Sequence, residues 1–448
     1  MSEAAVDTRG RPENMPGNMS ALNTLLDRPA RAFLLLYLIS LTVCLTMGLL
    51  HGFRASPLQL DVDEGEYFTL ATQIMDGTIE LSARRSLGFP VVIAAIRSIY
   101  DNILFLQGIV TALYAFSAPL LFLVVRRISR SDAAGLLAGA ALAMWPPAIF
   151  YGASLYSETL AAPIFLLSLL MLPVGARLSG AAVRWHWTAL PSGLLLAAAT
   201  HVRPMYLLFV PFVALILWIE EASLWRALRS FALVMAGFLL LILPWSVAQT
   251  RHFHHPILVT VNGGETLAGG LNPNLLDKDF DMKTPSGRAT WAGAGKWVAP
   301  YLTGFLSPAE QALPYHQQDR ILRERTVDWA LSHPGQAALI ELRKFSYMWG
   351  IYPIAQNGVR QMLFGNLPTL ALLALALWSM IVMPGSRWQL VRFWALPLFV
   401  TGVAMISWGS WRFRQPGDAG LIALAAIGIV RYQAARLATR RVLAEHSA

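Results

Sequence analysis

The sequence predicts an all-α polytopic membrane protein, on three observations. Its 448 residues are 56% hydrophobic and only 14% charged, whereas soluble chains carry about 25% charge. Apolar runs long enough to cross a bilayer, roughly 17–25 residues each, recur along the chain. Arginines cluster in the short segments between alternate runs, the bias that orients membrane proteins.

Residues 1–30 are mostly polar and rich in Gly, Pro, Asn and Met, and they read as a disordered tail. Arg28 and Arg31 precede an apolar run that starts at Phe33. The run is too long for a signal-peptide core and has no small-residue cleavage site. It reads as an uncleaved first span with its N-terminus in the cytoplasm. About ten spans are expected, at 33–52, 103–125, 133–151, 156–173, 188–203, 204–219, 230–249, 362–383, 391–408 and 417–433. Residues 88–99 are apolar but too short to cross, and Arg97 interrupts them; they are expected to lie at the outer interface.

Charge supports this arrangement. Every segment placed inside is basic: Arg126, Arg127 and Arg130; Arg177 and Arg184; Arg226 and Arg229; Arg387 and Arg392; and the tail 436–448 with Arg436, Arg440 and Arg441. A crossing at 88–99 would move Arg126 and Arg127 outside and invert every later loop. Two long segments fall outside, 54–102 and 250–361. The second contains Asn262-Gly263-Gly264, a turn signal, and helical patterning around 317–345 broken at His333-Pro334.

Several function classes drop out. The net charge of +9 is explained by the loop arginines, and no finger, basic helix or RNA-binding pattern is present, so nucleic acid is not expected. A single cysteine, Cys44, excludes an internal disulfide and a cysteine zinc cage. There is no phosphate-binding glycine loop, no internal repeat and no inner loop that could hold a nucleotide-binding domain. His252, His254 and His255 are clustered, but their spacing matches no strong zinc pattern.

The chain is organised around Asp61-Val62-Asp63-Glu64-Gly65-Glu66-Tyr67, just after the first span. Tyr67, Leu70, Ala71 and Ile74 follow at helical spacing. Asp63 as N-cap with Glu66 three residues later would make a capping box, and a helix N-terminus favours an ionised carboxylate. The expected topology brings further polar residues to the same face: Glu158, His201, Arg203, Arg412, Arg414 and Asp418. Ionisable groups at such depth are functional candidates. The plainer readings are a solvated turn for Glu158, a snorkelling Arg203, and lipid headgroup contacts for Arg412 and Arg414.

In these motifs the chain resembles the C-type (GT-C) glycosyltransferases, in the branch of the protein O-mannosyltransferases and the lipid A aminoarabinose transferase. The resemblance rests on Asp63-Glu64 with Tyr67, Gly88-Phe89-Pro90, Ser157-Glu158, Arg203-Pro204 and the Arg412-Phe413-Arg414 to Asp418 stretch. Pro244-Trp245 followed by Asn262-Gly263-Gly264 is also similar, and the likeness covers roughly residues 30–435. It implies sugar transfer from a polyprenyl-phosphate carrier to a glycan, lipid or protein acceptor on the outer side, and the lack of an endoplasmic-reticulum-type insertion or retention signal points to the periplasmic face of a bacterial inner membrane. It implies Asp63 as the base, with Glu64 or Glu66 sharing that role, and Arg203, Arg412 and Arg414 at the carrier phosphate. Tyr67, Glu158, His201 and Asn262 are expected to line the substrate site. Some relatives use a divalent metal, and Asp63, Glu64 and Glu158 could hold a hard cation through oxygen.

The chemistry is compatible with those roles. A phosphate ester leaves without a strong general acid, so a base on one face of the anomeric carbon and cations at the departing phosphate suffice. The competing class is a transporter or flippase of a lipid-linked glycan precursor, which would place charges near the midplane and show paired broken helices. A non-catalytic envelope scaffold is a third reading.

Overall fold

Helix boundaries follow from local chemistry. Asn102 accepts from the amides of Leu104 and Phe105 and starts helix Ile103–Ala115, and Ser131 accepts from Ala134 to start Asp132–Ala143, each a side-chain N-cap. The computed structural model describes residues 29–79, 84–179, 187–276, 281–283, 289–291, 299–351, 362–383, 390–407 and 409–447. The expected disordered stretch 1–28 lies outside them.

Among the described residues, five helical stretches are long and apolar enough to cross a membrane: Pro29–Gly52, Ile103–Ser129, Leu224–Phe253, Met362–Val382 and Trp411–His446. The span expected at 133–151 is two helices, Asp132–Ala143 and Pro146–Gly152, meeting at 58°. Pro146 and Pro147 supply no backbone donors there, which breaks the ladder. The other expected spans are the shorter apolar helices Ser157–Met171, Ala189–Val202, Pro204–Glu220 and Val391–Met405. Helix Gln415–Ser447 continues through the residues expected as a basic tail. The fold is all-α as expected; among the described residues its one addition is a short two-stranded ribbon, Asp281–Lys283 against Ala289–Trp291.

The core is built by close approach and aromatic filling. Phe165, Tyr206, Phe209 and Phe399 are buried together, with ring centroids 4.5–6.4 Å apart. Helices Ala189–Val202 and Leu224–Phe253 meet through reciprocal glycines. A Cβ on Gly193 would collide with the Val234 carbonyl oxygen, and one on Gly237 with that of Leu190. Small residues permit such contact between membrane helices. Gly193→Ala is therefore expected to cost about 1–3 kcal/mol through overpacking, measured as the thermal unfolding of the solubilised protein. Gly108→Ala, which meets nothing within 4 Å, is expected to leave unfolding unchanged or slightly raised.

Each end of the bundle is pinned by buried charge. At the end opposite Asp63, Arg392 forms a two-pronged pair with Glu220, at 2.8 Å for each contact. It also donates to the carbonyls of Leu169, Leu172 and Pro173, satisfying acceptors that helix Ser157–Met171 leaves open at its end. At the Asp63 end, Lys344 of helix Pro334–Met348 donates to the carbonyls of Met405 (3.2 Å) and Ser407 (3.0 Å) and pairs with Glu341. Trp411 and Arg414 donate to Tyr347 and Met348 at the end of that helix. The turn that carries Arg412 is thus held by the long segment 250–361.

Candidate active site

The acidic stretch folds as helix Val62–Met75, and its true cap is Asp61. Asp61 accepts from the Val62 amide at 2.7 Å and from the Tyr156 hydroxyl at 2.6 Å. Glu64, three residues on, accepts from the Asp61 amide at 3.0 Å, completing the capping box. The expected box of Asp63 and Glu66 is therefore shifted by two residues. The shift decides roles. Glu64 also accepts from the Leu155 amide at 2.9 Å and is buried, so both its oxygens serve backbone donors. Glu64→Ala is expected to cost about 1–3 kcal/mol, the penalty for unmet buried donors. Glu64→Gln, which keeps one carbonyl acceptor, should cost less in the same unfolding assay.

Freed from capping, Asp63 shares a helix face with Glu66 and Tyr67, three and four residues on. Arg85 lies across that face, its Nη2 2.8 Å from Asp63 Oδ1 and 2.7 Å from Glu66 Oε2. Its guanidinium lies 5.6 Å from the centroid of the Tyr67 ring. The second Asp63 oxygen accepts from Arg412 Nη1. Arg412 also donates to both oxygens of Glu158 and stacks 3.9 Å over the Tyr156 ring. Glu158 sits in the first turn of helix Ser157–Met171 and is only 4% exposed, so it is no solvated turn residue. Its Oε2 is 2.7 Å from Arg203 Nη1, which also donates to Ser157 Oγ at 3.0 Å. Tyr67 donates to the same Ser157 oxygen at 3.2 Å.

Three carboxylates and three guanidiniums from five separate chain segments therefore converge at one end of the bundle: Asp63, Glu66 and Glu158 with Arg85, Arg203 and Arg412. Burial opposes ionisation of Asp63, but Arg412 and Arg85 outweigh it and hold the carboxyl down at about 2, against an ordinary 3.8. A depressed carboxyl contributes stability above the ordinary value and loses it as pH falls through the folded value. Unfolding is thus expected to become easier in the wild type between pH 4 and pH 2, and less so in Asp63→Asn, measured by thermal denaturation across that window.

Three expected site residues lie elsewhere. Arg414 is fully enclosed, 2.7 Å from Asp418, and donates to the Met348 carbonyl; it braces the helix packing rather than reaching the acids. His201 faces the Leu241 carbonyl at 3.3 Å and meets the Trp245 ring edge-on. Asn262 precedes helix Gly263–Gly270 and accepts from Thr260. Among the described residues no three His, Cys, Asp or Glu side chains gather as a metal site. The trio of Asp63, Glu64 and Glu158 is not assembled, because Arg412 bridges Asp63 and Glu158 and Glu64 is bound to amides.

Other contributors were not anticipated from the sequence. Arg84 forms a two-pronged contact with Glu265 (3.1 and 2.8 Å), and Tyr315 donates to that same carboxylate. Arg84 and Arg85 thus strap the acidic helix to the long segment. The available signal was two adjacent arginines in a segment assigned to the outside, against the general charge bias.

No protein-family model matches the chain, and no curated protein matches it. Among solved structures it is similar to the Archaeoglobus fulgidus oligosaccharyltransferase, a crystal structure tethered to an acceptor peptide containing the NVT sequon. Identity is 12% and the TM-score is 0.46, covering 90% of this chain and 49% of that one. The chain spans about half the length of that structure, and a likeness at this level carries no functional weight.

Proposed function

We propose that this protein is a membrane glycosyltransferase of the C-type class that moves a sugar from a polyprenyl-phosphate donor to an acceptor hydroxyl at the Asp63 end of the bundle. The observation that carries this reading is the bridge from Asp63 through Arg412 to Glu158, flanked by Arg85 and Arg203. It puts a base beside cations suited to a phosphate.

In the proposed reaction the acceptor oxygen attacks the anomeric carbon, and its proton passes to Asp63. The bond from that carbon to the phosphate oxygen breaks, and the phosphate leaves with the electron pair. A single displacement of this kind inverts the anomeric centre. Guanidiniums aimed at the departing phosphate stabilise the charge that develops there. A carboxyl held at about 2 is a weak base, since efficient general bases lie near the working pH. An arriving phosphate competes for Arg412 and Arg85, and each cation drawn from Asp63 raises its basicity. Donor binding would thereby switch on the base. Glu158 keeps Arg203 and Arg412 in place, and the carrier's chain lies in the bilayer alongside the helices. By the positive-inside bias this end faces away from the cytoplasm, the periplasmic side in the proposed bacterial inner membrane.

Native mass spectrometry of the solubilised protein with polyprenyl phosphate and with the matching polyprenol tests the donor assignment. Retention of the phosphate lipid alone, weakened in Arg85→Gln, is expected. Equal retention of the two lipids would contradict the phosphate role of the arginines.

A further inference from the structure

At the end opposite Asp63, helix Ser117–Ser129 closes with Arg126 and Arg127, and Arg130 follows as its cap. With Leu123, Leu170 and Asp132 they line a cleft of about 480 Å³. Arg126 is paired with Asp132. Arg127 and Arg130 donate instead to backbone carbonyls, those of Leu170 and Leu178, and among the described residues neither is within ion-pair distance of a carboxylate. A guanidinium has five N–H donors, so most of each fork remains for an anion. Arg130 adopts left-handed backbone, φ 56° and ψ 30°, at a helix end where glycine is favoured. An arginine in that place aims a cation at the cleft at some backbone cost, and such outliers motivate a functional hypothesis.

We propose that this cleft binds the phosphate of an anionic phospholipid, with Arg127 and Arg130 as its cations and the acyl chains along Leu123 and Leu170. Charge complementarity argues for an anion, because among the described residues neither Arg127 nor Arg130 has a carboxylate in ion-pair contact, and Glu220, which acts on Arg127 from a distance, is already held by Arg392. The leucine walls argue for a lipid rather than a free ion, since they are partly exposed on helices at the membrane boundary. Simple basicity for orientation would explain arginines here, but not a shared cleft or an arginine in a glycine conformation.

The test is native mass spectrometry of the full chain titrated with phosphatidylglycerol, phosphatidylcholine or inorganic phosphate. Phosphatidylglycerol should be retained preferentially. Arg127→Gln with Arg130→Gln should weaken it by roughly tenfold to thirtyfold, from two arginines near a membrane surface. Arg130→Gly, which removes the cation while suiting the left-handed backbone, should fold well and still weaken retention. Arg436→Gln with Arg440→Gln, in the last helix, should leave it intact. Equal retention of phosphatidylcholine, an equal loss in the Arg436 and Arg440 variant, or displacement by millimolar inorganic phosphate would overturn the assignment. None of these outcomes bears on the Asp63 site.

Discussion

Asp63→Asn is expected to lower sugar transfer by about 10²–10⁴-fold, the usual contribution of a general base, in a protein that still folds and inserts. Asparagine nearly matches aspartate in shape, and its carbonyl oxygen can still accept from Arg85 or Arg412. It cannot take the acceptor's proton. The substitution also removes the charge that occupies both guanidiniums, so polyprenyl-phosphate retention should be unchanged or tighter while turnover disappears. That split separates a base from a structural residue. Loss of binding and turnover together, with a lowered unfolding temperature, would assign Asp63 to holding the arginines in place.

Arg412→Gln is expected to have the largest combined effect. Arg412 bridges Asp63 and Glu158 while only 14% of its side chain is exposed. Its loss would leave two nearby carboxylates without their shared cation. Removing one partner of such a network costs about 3–5 kcal/mol when fully buried, and somewhat less here because Asp63 is 27% exposed. Transfer should fall by about 10²–10³-fold as well, the scale for losing one group that stabilises developing charge. The two losses can be separated. Adding Glu158→Gln to Arg412→Gln restores the balance of acids and arginines in the cluster, with the glutamine amide oxygen still able to accept from Arg203, and should recover part of the thermal stability without recovering transfer. If the double variant regained transfer, Arg412 would be a scaffold and not a phosphate ligand.

The sequence made part of this site legible, for a physical reason. Alternating apolar runs and basic turns give a topology, and topology alone brings Asp63, Glu158, Arg203 and Arg412 to one end of the bundle. The capping register was not legible in the same way. Asp61 with Glu64 and Asp63 with Glu66 both satisfy the acid-x-x-Glu pattern. The choice is made by Tyr156 and Leu155, which hydrogen-bond to Asp61 and Glu64 from about ninety residues away in the chain. Arg414 could have been told from Arg412, since Asp418 is four residues on and the Arg414–Asp418 ion pair follows helical spacing. Arg85 could not be placed by periodicity, because it lies in the irregular stretch before helix Gly88–Ile99. The break at Pro146-Pro147 was readable from the two prolines, but hydrophobicity alone merged the two helices into one span.

The most direct measurement is comparative mass spectrometry of envelope lipids, polysaccharides and proteins from a deletion strain. The strain would be complemented with wild type or with Asp63→Asn at matched protein levels. A sugar mass present with wild type and missing with Asp63→Asn is the predicted result, and the molecule that loses it is the acceptor. A deletion phenotype restored equally by both forms, with no sugar mass distinguishing them, would contradict Asp63 as the base and favour a transporter instead.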